Sequence, residues 1–338
     1  MTDRLPVLDE LDRRIVAALQ IDGRASWGRI ARVLGETERT VARRATRLLR
    51  ERHLAIVGIV HYQRVGWGEP YLLRVQCEPA GLRDAARRLA ELPQARWVAV
   101  VHGSSDCFVE IDIRQDDLTS ALLDRLAKIP GIVSLRTHAI LRYFRSVHEW
   151  RLDVPAEPQA SELVRPDLDL TAEFEPGTVQ LAPDETAILD LLAVDGRAGN
   201  DQIAAAAGIS ASTAWRRVES LRKRGLVFIR ADIEPALLGR AVEALLWLRV
   251  APGSLAAVGE SLAAHHDVRY LVATTGDFQL VANVVLPHRA ALYRFLTEVV
   301  GAREGIEQVD VSMNVAALKR AFVRRDGVRL TPVGRQRR

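Results

Sequence analysis

Cysteine is scarce: Cys77 and Cys107 are the only two in 338 residues. Two thiols build no disulfide framework, and their sparseness fits a reducing, cytoplasmic setting. Both read as small buried hydrophobes. Zinc-type Cys/His spacing is missing as well. The adjacent pair His265-His266 at a predicted helix end reads as a solvated pair rather than as a metal site, so no metal is expected. No run of roughly 18 apolar residues occurs, which excludes a bilayer-spanning helix and a membrane partner. The stretch 1–14 alternates acids and arginines around scattered leucines, without the apolar centre of a secretory signal. There is neither a phosphate-cradling glycine loop nor a nucleophile elbow. No catalytic residue and no cofactor are therefore expected, and the chain reads as a non-enzyme.

What is present suits a folded soluble protein of two or more domains, with 48% hydrophobic and 27% charged residues. The net charge of +4 says less than its placement. Arg39, Arg43, Arg44, Arg47, Arg50 and Arg52 face the single acid Glu51. Arg216, Arg217, Arg222, Lys223 and Arg224 cluster against Glu219, and the chain ends Arg335-Gln336-Arg337-Arg338. Clustered positive charge is the footprint of a polyanion binder.

The sequence also repeats itself. Asp22-Gly23-Arg24-Ala25 recurs as Asp195-Gly196-Arg197-Ala198, and the same register carries Ile15 onto Ile188, Ile30-Ala31 onto Ile203-Ala204 and Gly35 onto Gly208. Arg43-Arg44 falls on Arg216-Arg217, Pro79 on Pro252 and Gly103 on Gly276. One ungapped register over about a hundred positions implies duplication. Between the copies, 151–178 holds four prolines and seven acids against two arginines, the composition of a linker.

Each copy opens with three predicted helices. Leu11, Ile15, Ala18 and Leu19 follow helical spacing, and Pro183-Asp184-Glu185 opens the matching helix of copy two. Gly23 and Gly196 fit the left-handed position after a helix end. Gly35 and Gly208 supply a tight turn, with Thr37 and Ser210 placed as N-caps. The third helix, over about 38–51 and 211–224, buries Val41, Ala45 and Leu48, or Ala214, Val218 and Leu221. Its other stripe carries Thr40, Arg43, Arg44 and Arg47, or Thr213, Arg216, Arg217 and Ser220. This is helix-turn-helix architecture, whose second helix enters the major groove of double-stranded DNA. Glu38 and Arg39, or Ala211 and Ser212, sit at the end nearest the bases, where arginine pairs with guanine or grips phosphate. Arg222 adds to the basic cluster. A β-prone stretch follows each time, over 54–60 and 227–233.

From residue 71 onward the order is strand, helix, strand, strand, helix, strand, and copy two repeats it from residue 245. β-α-β-β-α-β is the ferredoxin-like order, with both helices on one sheet face. The other face needs a cover, supplied by the second copy within the chain or by another chain. The predicted fold class is α+β, with two three-helix winged helix-turn-helix domains and two ferredoxin-like domains in tandem. The boundaries are 1–62 and 179–235 for DNA binding, 63–150 and 236–323 for sensing and dimerisation, 151–178 for the Pro-rich acidic linker and 324–338 for a basic tail.

Leu8-Asp9 and Asp12 followed by Asp22-Gly23-Arg24 resemble the start of Lrp/AsnC transcriptional regulators. So do Gly208-Ile209-Ser210, Thr213, Arg217-Val218, Leu221 and Gly225-Leu226-Val227. Gly276-Asp277-Phe278 is similar to the hairpin of that family's sensor domain. The resemblance spans nearly the whole chain, twice. It implies a sequence-specific DNA-binding transcriptional regulator with paired sensor domains, homo-oligomers and control by an amino acid or related metabolite. It also implies an effector site near Gly103, Ser104 and Asp106 in copy one and near Thr275, Gly276 and Asp277 in copy two.

Two departures stand out. Copy one has Arg52-His53-Leu54 where copy two has Gly225-Leu226-Val227. Its hairpin reads Gly103-Ser104-Ser105-Asp106 and keeps only the second acid, whereas copy two keeps only the first, Asp277. The two halves are then chemically unequal, and at most one keeps an ordinary amino-acid site. Asp106 and Asp277 also read simply as turn residues. The alternative is a sirohaem decarboxylase-like enzyme of the same architecture, a family that binds a tetrapyrrole through His and Tyr. The corresponding region here has Arg96-Trp97, His102 and Arg269-Tyr270.

Overall fold

The computed structural model describes residues 8–147, 149–151, 163, 179–321 and 323–334. Most of the predicted linker, all but Arg151 and Leu163, lies outside the described residues, as does 335–338. In chain order, copy one has α1 (Glu10–Ile21), α2 (Trp27–Leu34), α3 (Glu38–Arg50), β1 (Leu54–Val60), β2 (Glu69–Cys77), α4 (Leu82–Glu91), β3 (Ala95–His102), β4 (Cys107–Ile113), α5 (Leu118–Ser120, continued by wider π-type turns over Ala121–Leu126) and β5 (Ile132–Arg145). Copy two has α6 (Pro183–Val194), α7 (Asn200–Ala207), α8 (Ala211–Lys223), β6 (Val227–Ile233), β7 (Val242–Val250), α9 (Leu255–Ala263), β8 (Val268–Thr274), β9 (Leu280–Leu286), α10 (Arg289–Arg294, continued over Phe295–Val300) and β10 (Ile306–Arg320). A hairpin, β11 (Val323–Asp326) and β12 (Arg329–Pro332), follows where the sequence suggested only a basic tail from 324. Its turn needs Gly327, with φ 57°.

The chain forms two compact units. One gathers 1–66, 151–238 and 322–338, the other 67–150 and 239–321. Like domains of the two copies therefore pair with each other.

In the first unit, β1 and β6 pair antiparallel, with Val57 opposite its own repeat counterpart Arg230. A local twofold passes there, and the contacts around it come in pairs. The Gly23 amide donates to Ile229 O at 2.9 Å, and Gly196 to Ile56 O at 2.8 Å. Arg24 donates to the carbonyls of Gly196 and Ala198; Arg197 returns to those of Gly23 and Ala25. These glycines do not adopt the left-handed conformation expected from sequence. A Cβ on Gly23 would lie 2.9 Å from Arg230 Cα, and one on Gly196 3.0 Å from Ile56 O. Glycine is required by close approach of two backbones, a relation between copies that no local pattern encodes. Arg230 is buried at this seam, which lowers its guanidinium to about 10.

Gly35 and Gly208 do take the left-handed turn, each at φ 68°. So does Gly225 at 64°, and Arg52 occupies the same region at 60°. The Arg52 carbonyl accepts from Leu330 N of β12 at 2.8 Å, so the terminal hairpin is bonded at this strained residue. Arg325 of β11 is buried between Asp232 and Glu234 at the end of β6.

In the second unit, eight strands close into a ring in the order β10-β3-β4-β2-β5-β8-β9-β7, with β7 returning to β10. β5 and β10 are long, 14 and 15 residues, because each serves both sheets. The first half of β5 pairs with β2 and its end with β8. β10 pairs likewise with β7 and then β3. The sheets thus cover each other within the chain, and Leu72, Trp97, Phe108, Trp247, Tyr270 and Val281 pack between them.

Candidate nucleic-acid interface and sensor hairpins

Each third helix is started by the side chain the sequence singled out. Thr37 Oγ1 accepts from Thr40 N and Ser210 Oγ from Thr213 N, both at 3.3 Å. The Thr40 and Thr213 hydroxyls also bond back to those caps at 2.9 Å. Glu38 and Ser212 are exposed beside them.

The arginine stripe divides into two sets. Arg39, Arg43 and Arg50 of α3 are exposed, as is Arg216 of α8. Arg44 instead turns back onto α1, reaching Asp9 at 2.5 Å and Asp12 at 3.0 Å, and Arg47 reaches Asp12 at 2.5 Å. Bonds to Asp9 and Asp12 hold the Arg44 guanidinium above its ordinary range. Arg217 repeats the arrangement, 3.0 Å from Asp184 and 4.0 Å from Glu185. One step along a helix turns a side chain by about 100°, enough to separate an outward arginine from a bracing one.

Arg222 corrects the sequence reading outright. It is buried, 2.8 Å from Asp22 and 3.1 Å from Glu219, and presents nothing to a DNA groove. Its repeat counterpart is Leu49, so the helix pattern of copy one would have placed it inward. Trp215, by contrast, was not singled out, yet its side chain lies 57% exposed on α8.

The sensor hairpins differ as their sequences do. Asp106 Oδ2 accepts from Cys77 N at 2.9 Å, and Gln279 Oε1 accepts from Val250 N at 3.0 Å. These are repeat-equivalent bonds, and each ties its hairpin to the end of a neighbouring strand, β2 or β7. Gly103, at φ 144°, lies against the β10 backbone, where a Cβ would meet Val311 O at 2.8 Å. Ser104 Oγ donates to Asp310 Oδ2 at 2.5 Å, and the same carboxylate is 2.5 Å from the Arg74 guanidinium. Arg74 lies over the Trp247 ring at 4.7 Å. In copy two, Thr275 Oγ1 accepts from Ala139 N at 2.9 Å and Asp277 is an exposed partner of Arg136 at 3.4 Å. Gly276 packs on His138, whose Nδ1 is 2.9 Å from Thr275 O. Burial holds the His138 imidazole below its ordinary pKa.

His265, His266 and the next residue, Asp267, have ligand atoms within 4.8 Å of one another. The Asp267 carboxylate is already paired with Arg240, and His265 Nδ1 accepts from Asp267 N at 3.2 Å.

The AsnC-type helix-turn-helix family model matches residues 8–49 and 186–222, and the Lrp/AsnC ligand binding domain model matches 71–146 and 243–323. The chain belongs to the Lrp/AsnC family. It carries both family domains twice. An uncharacterized HTH-type transcriptional regulator of Pyrococcus furiosus is 34% identical over 146 residues, 43% of this chain and 96% of that protein. The HTH-type transcriptional regulator FL11 of Pyrococcus abyssi is 29% identical over 121 residues, 36% of this chain and 80% of its own length. Each such relative corresponds to a single copy of the repeat. Among solved structures, the siroheme decarboxylase NirDL shares the fold over 92% of both chains at 12% identity, with a TM-score of 0.57. Its complex with an iron-uroporphyrin III analogue matches over 93% of both at 13% identity, with a TM-score of 0.58. Among the described residues no helix is long and apolar enough to cross a membrane.

Proposed function

We propose that this Lrp/AsnC family member is a sequence-specific, DNA-binding transcriptional regulator without catalytic activity, whose two recognition helices read unlike half-sites. The observation that carries this reading is the outward set Arg39, Arg43 and Arg216 on two capped helix-turn-helix units. The helices differ where bases are met, with Glu38-Arg39 in one and Ala211-Ser212 in the other. A fused chain is free to keep such a difference, so its preferred site is non-palindromic. A small metabolite, an amino acid or a relative, modulates binding through the sensor hairpins. Copy two carries that role, because its Asp277 meets Arg136 only in an exposed pair, whereas in copy one Arg74 is buried against Asp310.

The test is recovery of genomic DNA fragments by the purified protein, with and without amino-acid pools. Discrete upstream sites support the reading, and absence of duplex binding removes it. Replacing Arg43 and Arg216 together with Ala lowers the log–log salt slope by about 2, at roughly 0.9 per phosphate contact.

A second reading rests on the likeness to siroheme decarboxylase NirDL across the chain. His138, Tyr143 and Tyr270 are buried or half-buried within the second unit, and both tyrosines neighbour Glu110, so His and Tyr are available for a tetrapyrrole. Titration with an iron porphyrin distinguishes it: a Soret shift abolished by His138→Ala, with no DNA binding, favours the enzyme.

A further inference from the structure

Six tryptophans occur in the chain, all within described residues, and Trp215 alone is exposed. It is the fifth residue of α8, three after Ser212 and immediately before the outward Arg216. The helix does not need it for packing, since Ala214, Val218 and Leu221 already bury the inner face. Among the described residues no hydrogen bond or ring contact occupies the indole. Arg216, exposed and next in sequence, sets positive charge beside it on the same helix. Its repeat counterpart in α3 is Ala42, a single methyl group.

A large apolar surface in the N-terminal half of a recognition helix, beside an outward arginine, matches one feature of the major groove. That feature is the thymine C5-methyl, the only apolar group on a base edge there. We propose that Trp215 is a specificity residue of the second recognition helix, packing on thymine methyls in its half-site, while Ala42 leaves the matching position of the first half-site weakly specified. This rests on the DNA-binding reading above. It adds a particular base, a particular half-site and an asymmetry beyond that already expected from Glu38-Arg39 and Ala211-Ser212. The indole supplies shape and apolar area, and its neighbours Arg216 and Ser212 supply charge and hydrogen bonding.

The experiment uses the full chain and duplexes selected from a random library. Trp215→Ala is expected to lose the thymine preference in one half-site and to bind the selected duplex about tenfold more weakly, the order of one lost base-edge contact. Binding to random duplex at low salt stays unchanged. Replacing that thymine with deoxyuridine removes only the methyl: the parent chain weakens to a similar degree and Trp215→Ala does not respond. Ala42→Trp creates the same deoxyuridine sensitivity in the other half-site. Parent binding indifferent to deoxyuridine, with the selected sequence unchanged in Trp215→Ala, overturns the proposal and leaves the regulator reading standing. A Trp215→Ala chain that instead changes only its oligomeric mass assigns the indole to a second copy and overturns it too. Failure to bind any duplex removes both.

Discussion

Arg222 and Asp22 lie 200 positions apart and form a buried ion pair at 2.8 Å. The pair joins the last turn of α8 in one repeat to the end of α1 in the other. Arg222→Ala takes from the buried Asp22 carboxylate its shortest ion pair, leaving Arg29 at 3.7 Å and the Arg24 amide at 3.1 Å. Loss of a partner from a buried pair costs about 3 kcal/mol or more. Chemical denaturation of Arg222→Ala is expected to show that loss in the transition of the first unit, and low-salt DNA affinity of the still-folded protein should be little changed. A variant that loses DNA affinity at full stability would restore Arg222 to the interface.

Arg325 makes the corresponding prediction for the terminal hairpin. It is buried between Asp232 and Glu234, so Arg325→Leu removes the cation that bridges the two carboxylates to β11. The hairpin is expected to detach. Amide exchange at Leu330, now bonded to Arg52 O, should accelerate by several orders of magnitude, while exchange in β7 and β9 stays as it was.

The second unit should lose stability as pH rises from about 4 to about 7. Burial lifts Asp112 to about 7, and lifts Glu110 as well, although Arg96 opposes both. A carboxyl whose folded pKa lies above its unfolded one binds protons more readily when folded. Its stabilising contribution is complete below the unfolded value and disappears as pH passes the folded one. Unfolding midpoints measured across this range should fall, and Asp112→Asn should flatten the profile.

Cys77 and Cys107 are buried, and burial pushes both thiols up. Thiolate is the reactive form, so neither should be alkylated at pH 8 until the second unit unfolds. Two rapidly labelled thiols in the native protein would contradict the packing of β2 against β4.

Local signals made most of the elements legible. β1 and β6 have the bounds predicted from their β-prone composition, and the N-caps Thr37 and Ser210 act as expected. Helical spacing also identified the inner stripes of α3 and α8 correctly. It did not divide the outer stripe, because Arg43 and Arg44 are the same residue type one position apart. Which one faces outward depended on Asp9 and Asp12 standing on a different helix. The hairpin β11–β12 was missed because its arginines read as solvated charge, while Arg325 is in fact neutralised by two carboxylates far away in sequence.

The sequence by itself determined the duplication, the helix-turn-helix and ferredoxin-like order of each copy, and the placement of basic residues on the third helices. These follow from periodicity, capping and spacing, which act within a few residues along the chain. Only the tertiary structure decided that Gly23 and Gly196 serve a backbone crossing, that Arg222 is structural, and that Trp215 remains outside. Each of those depends on what the other copy, or another helix, brings to within a few ångströms, and burial of charge or apolar area is fixed by that proximity alone.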